Sequence, residues 1–180
     1  MKATGIVRRI DDLGRVVIPK EIRRTMRIRE GDPLEIYTDR DGEVIFKKYS
    51  PVGELASFAG HICETLAKTT GMSAVVCDRD TIIAASGAAR RDMLEKRISE
   101  PLERIIESRQ IYQHKEGEQM VEVCDVPCGK YVSIAAPIIS EGDVSGCVAF
   151  VFDGSEAELG DTGYKLVQTV AGFLGRQMEA

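Results

Sequence analysis

The 180-residue sequence has no tryptophan, no asparagine and only two histidines, His61 and His114. It also has no long apolar run. That absence excludes a transmembrane helix, which takes roughly 18 or more consecutive apolar residues. No charged and apolar leader of the export type opens the chain, so a cytoplasmic protein with no membrane contact is expected. Two histidines leave little for acid–base chemistry, and neither has the partners that a four-ligand zinc site needs. Nucleophile elbow, Walker loop, dinucleotide fingerprint and HExxH run are all missing, so no enzyme, no catalytic residue and no cofactor is expected. The five cysteines, Cys63, Cys77, Cys124, Cys128 and Cys147, are odd in number and argue against a disulfide framework. Reduced thiols are the expectation. Cys124 and Cys128 share the C-x3-C run CDVPC, which invites a metal or redox reading, but no matching second pair accompanies them and no metal site is expected.

What the chain does have is segregated charge. Its net charge is -5, yet residues 1–30 carry nine Lys and Arg against four Asp and Glu. Residues 1–50 carry twelve against nine, and residues 51–180 twelve against twenty. Such a split predicts two domains, an anion-binding head of residues 1–50 and an acidic body of residues 56–180, with 51–55 a linker running into a helix.

In the head, TGIVRRIDDLGRVVIPKEIRRTMRIR, Thr4 to Arg29, packs the arginines into a strand, turn, strand and helix. Alternation predicts a strand from Thr4 to Ile10, a turn at Asp11-Asp12-Leu13-Gly14 and a second strand from Arg15 to Ile18, with Arg15 at the tip. Pro19 suits the first position of a short helix reaching about Ile28, with Ile22 and Met26 on its apolar face and Lys20, Arg23, Arg24 and Arg27 on the other. Gly31-Asp32-Pro33 is expected to end it. A second hairpin is expected from Leu34 to Lys48, turning at Asp41-Gly42. Fifty residues with so few apolar side chains bury too little surface to fold alone, and none of the cysteines lies here. Dimerisation with interleaved strands is the remaining solution, and it doubles the basic face about a two-fold axis.

These residues, Leu13 to Pro19 (LGRVVIP) above all, resemble the AbrB family of bacterial transition-state regulators. The resemblance implies a mostly β, swapped-hairpin dimeric barrel with one short helix, and a double-stranded DNA partner. Carried over position by position, the family's DNA-contacting arginines fall on Arg8, Arg15, Arg23 and Arg24, with Arg9 and Lys2 as weaker candidates. A lone surface arginine is ordinarily a solvated charge, but nine cations in thirty residues are not isolated. Residues 1–50 contain no Asn, Gln or His, so amide contacts to adenine are excluded and arginine to guanine and to phosphate remain. Tolerant sites in A·T-rich, deformable DNA and a strong salt dependence follow.

In the body, Ser50-Pro51 reads as cap and first residue of a helix carrying Leu55, Phe58, Ala59, Ile62, Cys63, Leu66 and Ala67 to a stop near Gly71. Strands are expected at Ser73 to Cys77, Thr81 to Ser86, Met120 to Cys124, Tyr131 to Ile139 and Val144 to Phe152. Ser99 and Pro101 open another helix, and a glycine-bearing helix from about Glu156 to Met178 closes the chain. This order resembles a GAF domain, an α+β antiparallel sheet with flanking helices used to sense small molecules. The cyclic-nucleotide signature of that family begins with Asn-Lys, and a chain without asparagine lacks it. The ligand stays unidentified, with a pocket expected between the sheet and the segment from Gly87 to Gln110. GAF-bearing relatives imply a helical bundle between subunits and so a homotetramer. The resemblance as a whole implies a regulator that activates and represses sporulation genes in the forespore cytoplasm. Two other classes remain at this level: a thiol enzyme of the methionine sulfoxide reductase kind using Cys124 or Cys128, and a toxin-binding antitoxin.

Overall fold

The computed structural model describes residues 5–87, 90–155 and 159–179, and it divides into two compact units, residues 1–49 and 50–180.

In the first unit the helix α1 spans Lys20–Met26. It starts at Pro19, which takes the cap position rather than the first turn (φ -57, ψ 145). The helix stops earlier than the sequence suggests, because Arg27 turns left-handed (φ 51, ψ 40) and donates its N–H back to Arg23 and Arg24. Gly31-Asp32-Pro33 is therefore not the terminator. Lys48 Nζ donates to the Arg27 carbonyl at 2.9 Å and lies 3.4 Å from the buried Asp32 carboxylate, so a cation satisfies the helix end. Strands β1 (Leu34–Thr38) and β2 (Val44–Lys48) pair antiparallel from Leu34↔Lys48 to Thr38↔Val44, and Gly42 takes φ 83 in the expected turn. The first expected hairpin differs. Residues 5–10 and 15–18 form no strand ladder, and only the turn closes, through Asp11 N–H to the Arg15 carbonyl and Gly14 N–H to the Asp11 carbonyl, both at 3.0 Å. A strand is secured by ladder bonds along its length, and among the described residues these arms belong to no sheet. Thr4 lies outside the described residues.

The second unit opens with α2 (Pro51–Glu54), where the Ser50 hydroxyl accepts the Gly53 N–H at 3.0 Å. This helical turn begins where the Ser50-Pro51 cap places it, in the stretch expected to run into a helix, and Val52 within it is fully buried. Then follow α3 (Ala56–Thr70, stopped by left-handed Gly71), β3 (Ser73–Asp78), β4 (Ile82–Ala85), α4 (Arg90–Met93), α5 (Glu100–Glu107), β5 (Tyr112–Gln113), β6 (Tyr131–Ser140), β7 (Asp143–Phe152) and α6 (Gly160–Met178). The five strands form one antiparallel sheet in the order β4-β3-β7-β6-β5. Consecutive burial along β3 and β7 means that both faces are covered. On one face α3 and α6 lay Ala59, Cys63, Leu66, Val167, Ala171 and Leu174 on Val76, Ala136, Ile138 and Phe150. On the other, Met93, Ile98, Leu102 and Ile106 cover Val75, Ala135, Cys147 and Ala149.

The sequence expected a strand at Met120 to Cys124, and there is none. That segment makes the isolated bridges Glu122↔Tyr131 and Ile98↔Cys124, with backbone bonds to Ser99, Lys130 and Val132 around them, and no continuous ladder. The place beside the middle of β6 is taken by the two-residue β5, which pairs with Ile134 and Ala135. The closing helix begins at Gly160, and the expected start at Glu156 lies outside the described residues.

Candidate nucleic-acid interface

The arginines singled out in the sequence all belong to the first unit, and all are exposed: Arg8 and Arg9 on the first arm, Arg15 just past the turn, Arg23 and Arg24 in the last turn of α1. Lys2 lies outside the described residues. On a helix, adjacent residues point about 100° apart, so Arg23 and Arg24 fan out rather than stack. Apart from Pro19, no buried apolar side chain precedes Val52 among the described residues. Instead Ile6, Val7, Ile10, Leu13, Val16 and Val17 of the arms are exposed, as are Met26, Ile36 and Phe46. The expected apolar face of α1 is therefore only half covered.

The tip has a feature that sequence reasoning passed over. Asp11 Oδ1 accepts the backbone N–H of Leu13 at 3.0 Å and of Arg15 at 2.8 Å, while Oδ2 accepts Arg15 Nε at 2.7 Å. These bonds to the Arg15 backbone and then to its guanidinium hold the Asp11 carboxyl below its ordinary value of 3.8. The available signal was an aspartate opening a turn that ends in glycine, since such a side chain bonds its own backbone two residues on. Gly14, at φ 76, closes that turn.

The second unit offers less chemistry. Cys77 and Cys147 face each other across β3 and β7 with their sulfurs 3.2 Å apart, both fully buried. Their mutual hydrogen bond, with burial, pushes the Cys77 thiol well above its ordinary value. Burial raises Cys63 to about 12, and burial together with contact to Cys128 raises Cys124 to about 12. Thiols so shifted stay protonated and are poor nucleophiles. Among the described residues no three His, Cys, Asp or Glu side chains converge as metal ligands. In the segment from Gly87 to Gln110, the described side chains Met93, Ile98, Leu102 and Ile106 pack into the core on this face of the sheet. A shallow cleft of ≈ 240 Å³ opens at the C-terminal end of that segment, lined by Arg109, Ile111, Pro137, Ile139, Gln168 and Gly172 among others. No described helix is long and apolar enough to cross a membrane.

Two family models match the chain: Stage V sporulation protein T C-terminal, transcription factor, over residues 54–179, and Antidote-toxin recognition MazE, bacterial antitoxin, over residues 7–53. The chain is 52% identical over 181 residues to stage V sporulation protein T of Bacillus subtilis (strain 168), covering 99% of each. It is 65% identical over 51 residues to the transition state regulatory protein AbrB of the same organism, covering 28% of this chain and 52% of that one. Among solved structures, the type II free methionine-R-sulfoxide reductase of Thermoplasma acidophilum matches with a TM-score of 0.55 at 12% identity, over 71% of this chain and 95% of that one. At that identity the likeness is one of fold alone.

Proposed function

We propose, for a chain that belongs to the family of stage V sporulation protein T, that it is a DNA-binding transcription regulator of sporulation genes whose paired heads lay arginines on double-stranded DNA. Arg8, Arg15, Arg23 and Arg24 make the principal contacts, and Arg9 and Lys2 add charge. The observation that carries the reading is the composition of the first unit, an exposed arginine set on a fold that leaves its own apolar side chains uncovered. A second copy interleaving its arms with the first supplies the missing ladder and core, and it doubles the cationic face. With no amide side chain to read adenine, affinity comes from phosphates and arginine–guanine contacts, and selectivity from DNA shape. Activation and repression, and a forespore location, are proposed on the likeness to stage V sporulation protein T.

The second unit is proposed as a GAF-like domain for signal sensing and assembly, its ligand unassigned. The rings of Phe58 on α3 and Phe173 on α6 meet at 5.7 Å between centroids, tilted by 47°, while remaining exposed, a basis for a helical bundle that joins dimers into a tetramer. The reductase-like fold does not by itself argue for an enzyme here, and the raised Cys63, Cys77 and Cys124 thiols are poor nucleophiles. The antitoxin match ends at residue 53, where a folded unit begins in place of a disordered tail.

The test is DNA affinity of the full chain and of Arg15→Ala combined with Arg23→Ala and Arg24→Ala, at two salt concentrations. A loss of at least about 3 kcal/mol with a shallower salt slope is expected. A folded triple variant that binds like the parent overturns the reading.

A further inference from the structure

We propose that Asp11 is a positioning residue for DNA recognition, fixing the Leu13–Arg15 tip and gripping Arg15 by its Nε so that the Nη donors meet the duplex in one orientation. The inference rests on the DNA-binding reading above. One carboxylate accepts three hydrogen bonds here, two from the turn backbone and one from the guanidinium, all between 2.7 and 3.0 Å. Backbone position and side-chain direction of the same arginine are thereby set by the same group. Arg15 keeps 70% of its side-chain exposure and Asp11 35%. A pair this solvated adds little to stability, so its geometry needs another explanation. A negative charge beside a phosphate-facing arginine also opposes non-specific attraction to DNA. Orientation compensates: arginine reads guanine through a planar two-pronged contact, and a guanidinium held at Nε has fewer orientations to lose on binding. Asp11 thus exchanges general affinity for discrimination.

The two contributions separate experimentally in the full chain. The probes are a duplex selected from a random pool by the wild-type protein and an unselected duplex of equal length. Asp11→Asn removes the charge and should weaken the selected duplex about fivefold or more, while leaving the unselected one equal or tighter. Asp11→Glu keeps the charge but displaces the carboxylate by one methylene, and should weaken the selected duplex without strengthening the unselected one. In an Arg15→Ala background neither change should cause a further loss on the selected duplex. Circular dichroism and thermal melting of every variant separate a fold defect from a recognition defect. Equal tightening of both duplexes by Asp11→Asn, full retention of selectivity by Asp11→Glu, or an undiminished loss in the Arg15→Ala background overturns the proposal. A wild-type chain that binds neither duplex sinks the DNA reading itself, and this inference with it.

Discussion

Ser99 shows how much a single hydroxyl can hold. Its Oγ accepts the Leu102 N–H at 3.2 Å, capping α5, and donates to the Glu122 carbonyl at 2.5 Å. Ser99→Ala leaves both partners unmet in a buried setting, and a loss of about 1–2 kcal/mol is expected in chemical denaturation. The cap was legible because serine before Glu-Pro opens helices, but the bond to Glu122, 23 residues on, was not, since it depends on tertiary approach. The same boundary runs through the candidate interface. The basic character of the segment was legible as a charge pattern and Arg8, Arg15, Arg23 and Arg24 were singled out by the family resemblance, whereas Asp11 became visible only when the turn geometry put its carboxylate on Arg15. Buried thiols give a second prediction at this scale. Cys63 rises from 9.0 to about 12, so the folded state holds that proton more tightly than the unfolded chain does. The stability this represents is complete below pH 9.0 and declines as pH climbs toward 12, by roughly 1.4 kcal/mol per pH unit. Urea midpoints measured at pH 8 and pH 10.5 should fall accordingly, and Cys63→Ala should flatten the part of the decline that this thiol contributes.

Among the elements, α6 is the clearest case of local propensity yielding to packing. It carries four glycines, Gly160, Gly163, Gly172 and Gly175, which weaken a helix in isolation. Two of them let it lie close on β6. A Cβ at Gly175 would fall 2.2 Å from the Ile139 carbonyl oxygen, and one at Gly163 would fall 2.8 Å from Ile134 Cδ1. At Gly172 a Cβ would meet nothing within 4 Å. Gly175→Ala should therefore destabilise by about 1–3 kcal/mol, and Gly172→Ala should stabilise by about 0.5–1 kcal/mol. Thermal melts of the two variants moving the same way would contradict this account. Elements with a full period were readable: the β1–β2 hairpin, β3, β6 and β7 lie within a residue or two of their expected spans, and the helix expected from Pro51 to near Gly71 appears as α2 and α3 with a break at Leu55. The ones missed were short or decided elsewhere. The four-residue α4 and two-residue β5 hold too few positions to show a period. The run from Met120 to Cys124 has strand-like residues, but it meets only the start of β6, at Tyr131 and Val132, which is too short a contact for a ladder.

For the molecule as a whole, the sequence revealed two charge-distinct units and what the first must lack, but not how the arms would look in one chain. Exposure of Phe58 at 37% and Phe173 at 45%, with their rings in contact, gives α3 and α6 an apolar seam. Phe58→Glu with Phe173→Glu should reduce a tetramer to a dimer in sedimentation while leaving the circular dichroism spectrum intact; an unchanged sedimentation coefficient would place the seam outside the assembly. The uncovered arms of the first unit carry a different consequence. On the proposed pairing, a head completed by a second copy forms in a second-order reaction, so below its dissociation constant the amount of working head grows as the square of chain abundance. Halving synthesis then removes about three quarters of it. A regulator built on such arms converts a graded change in its own expression into a sharper one at its targets, with no ligand involved.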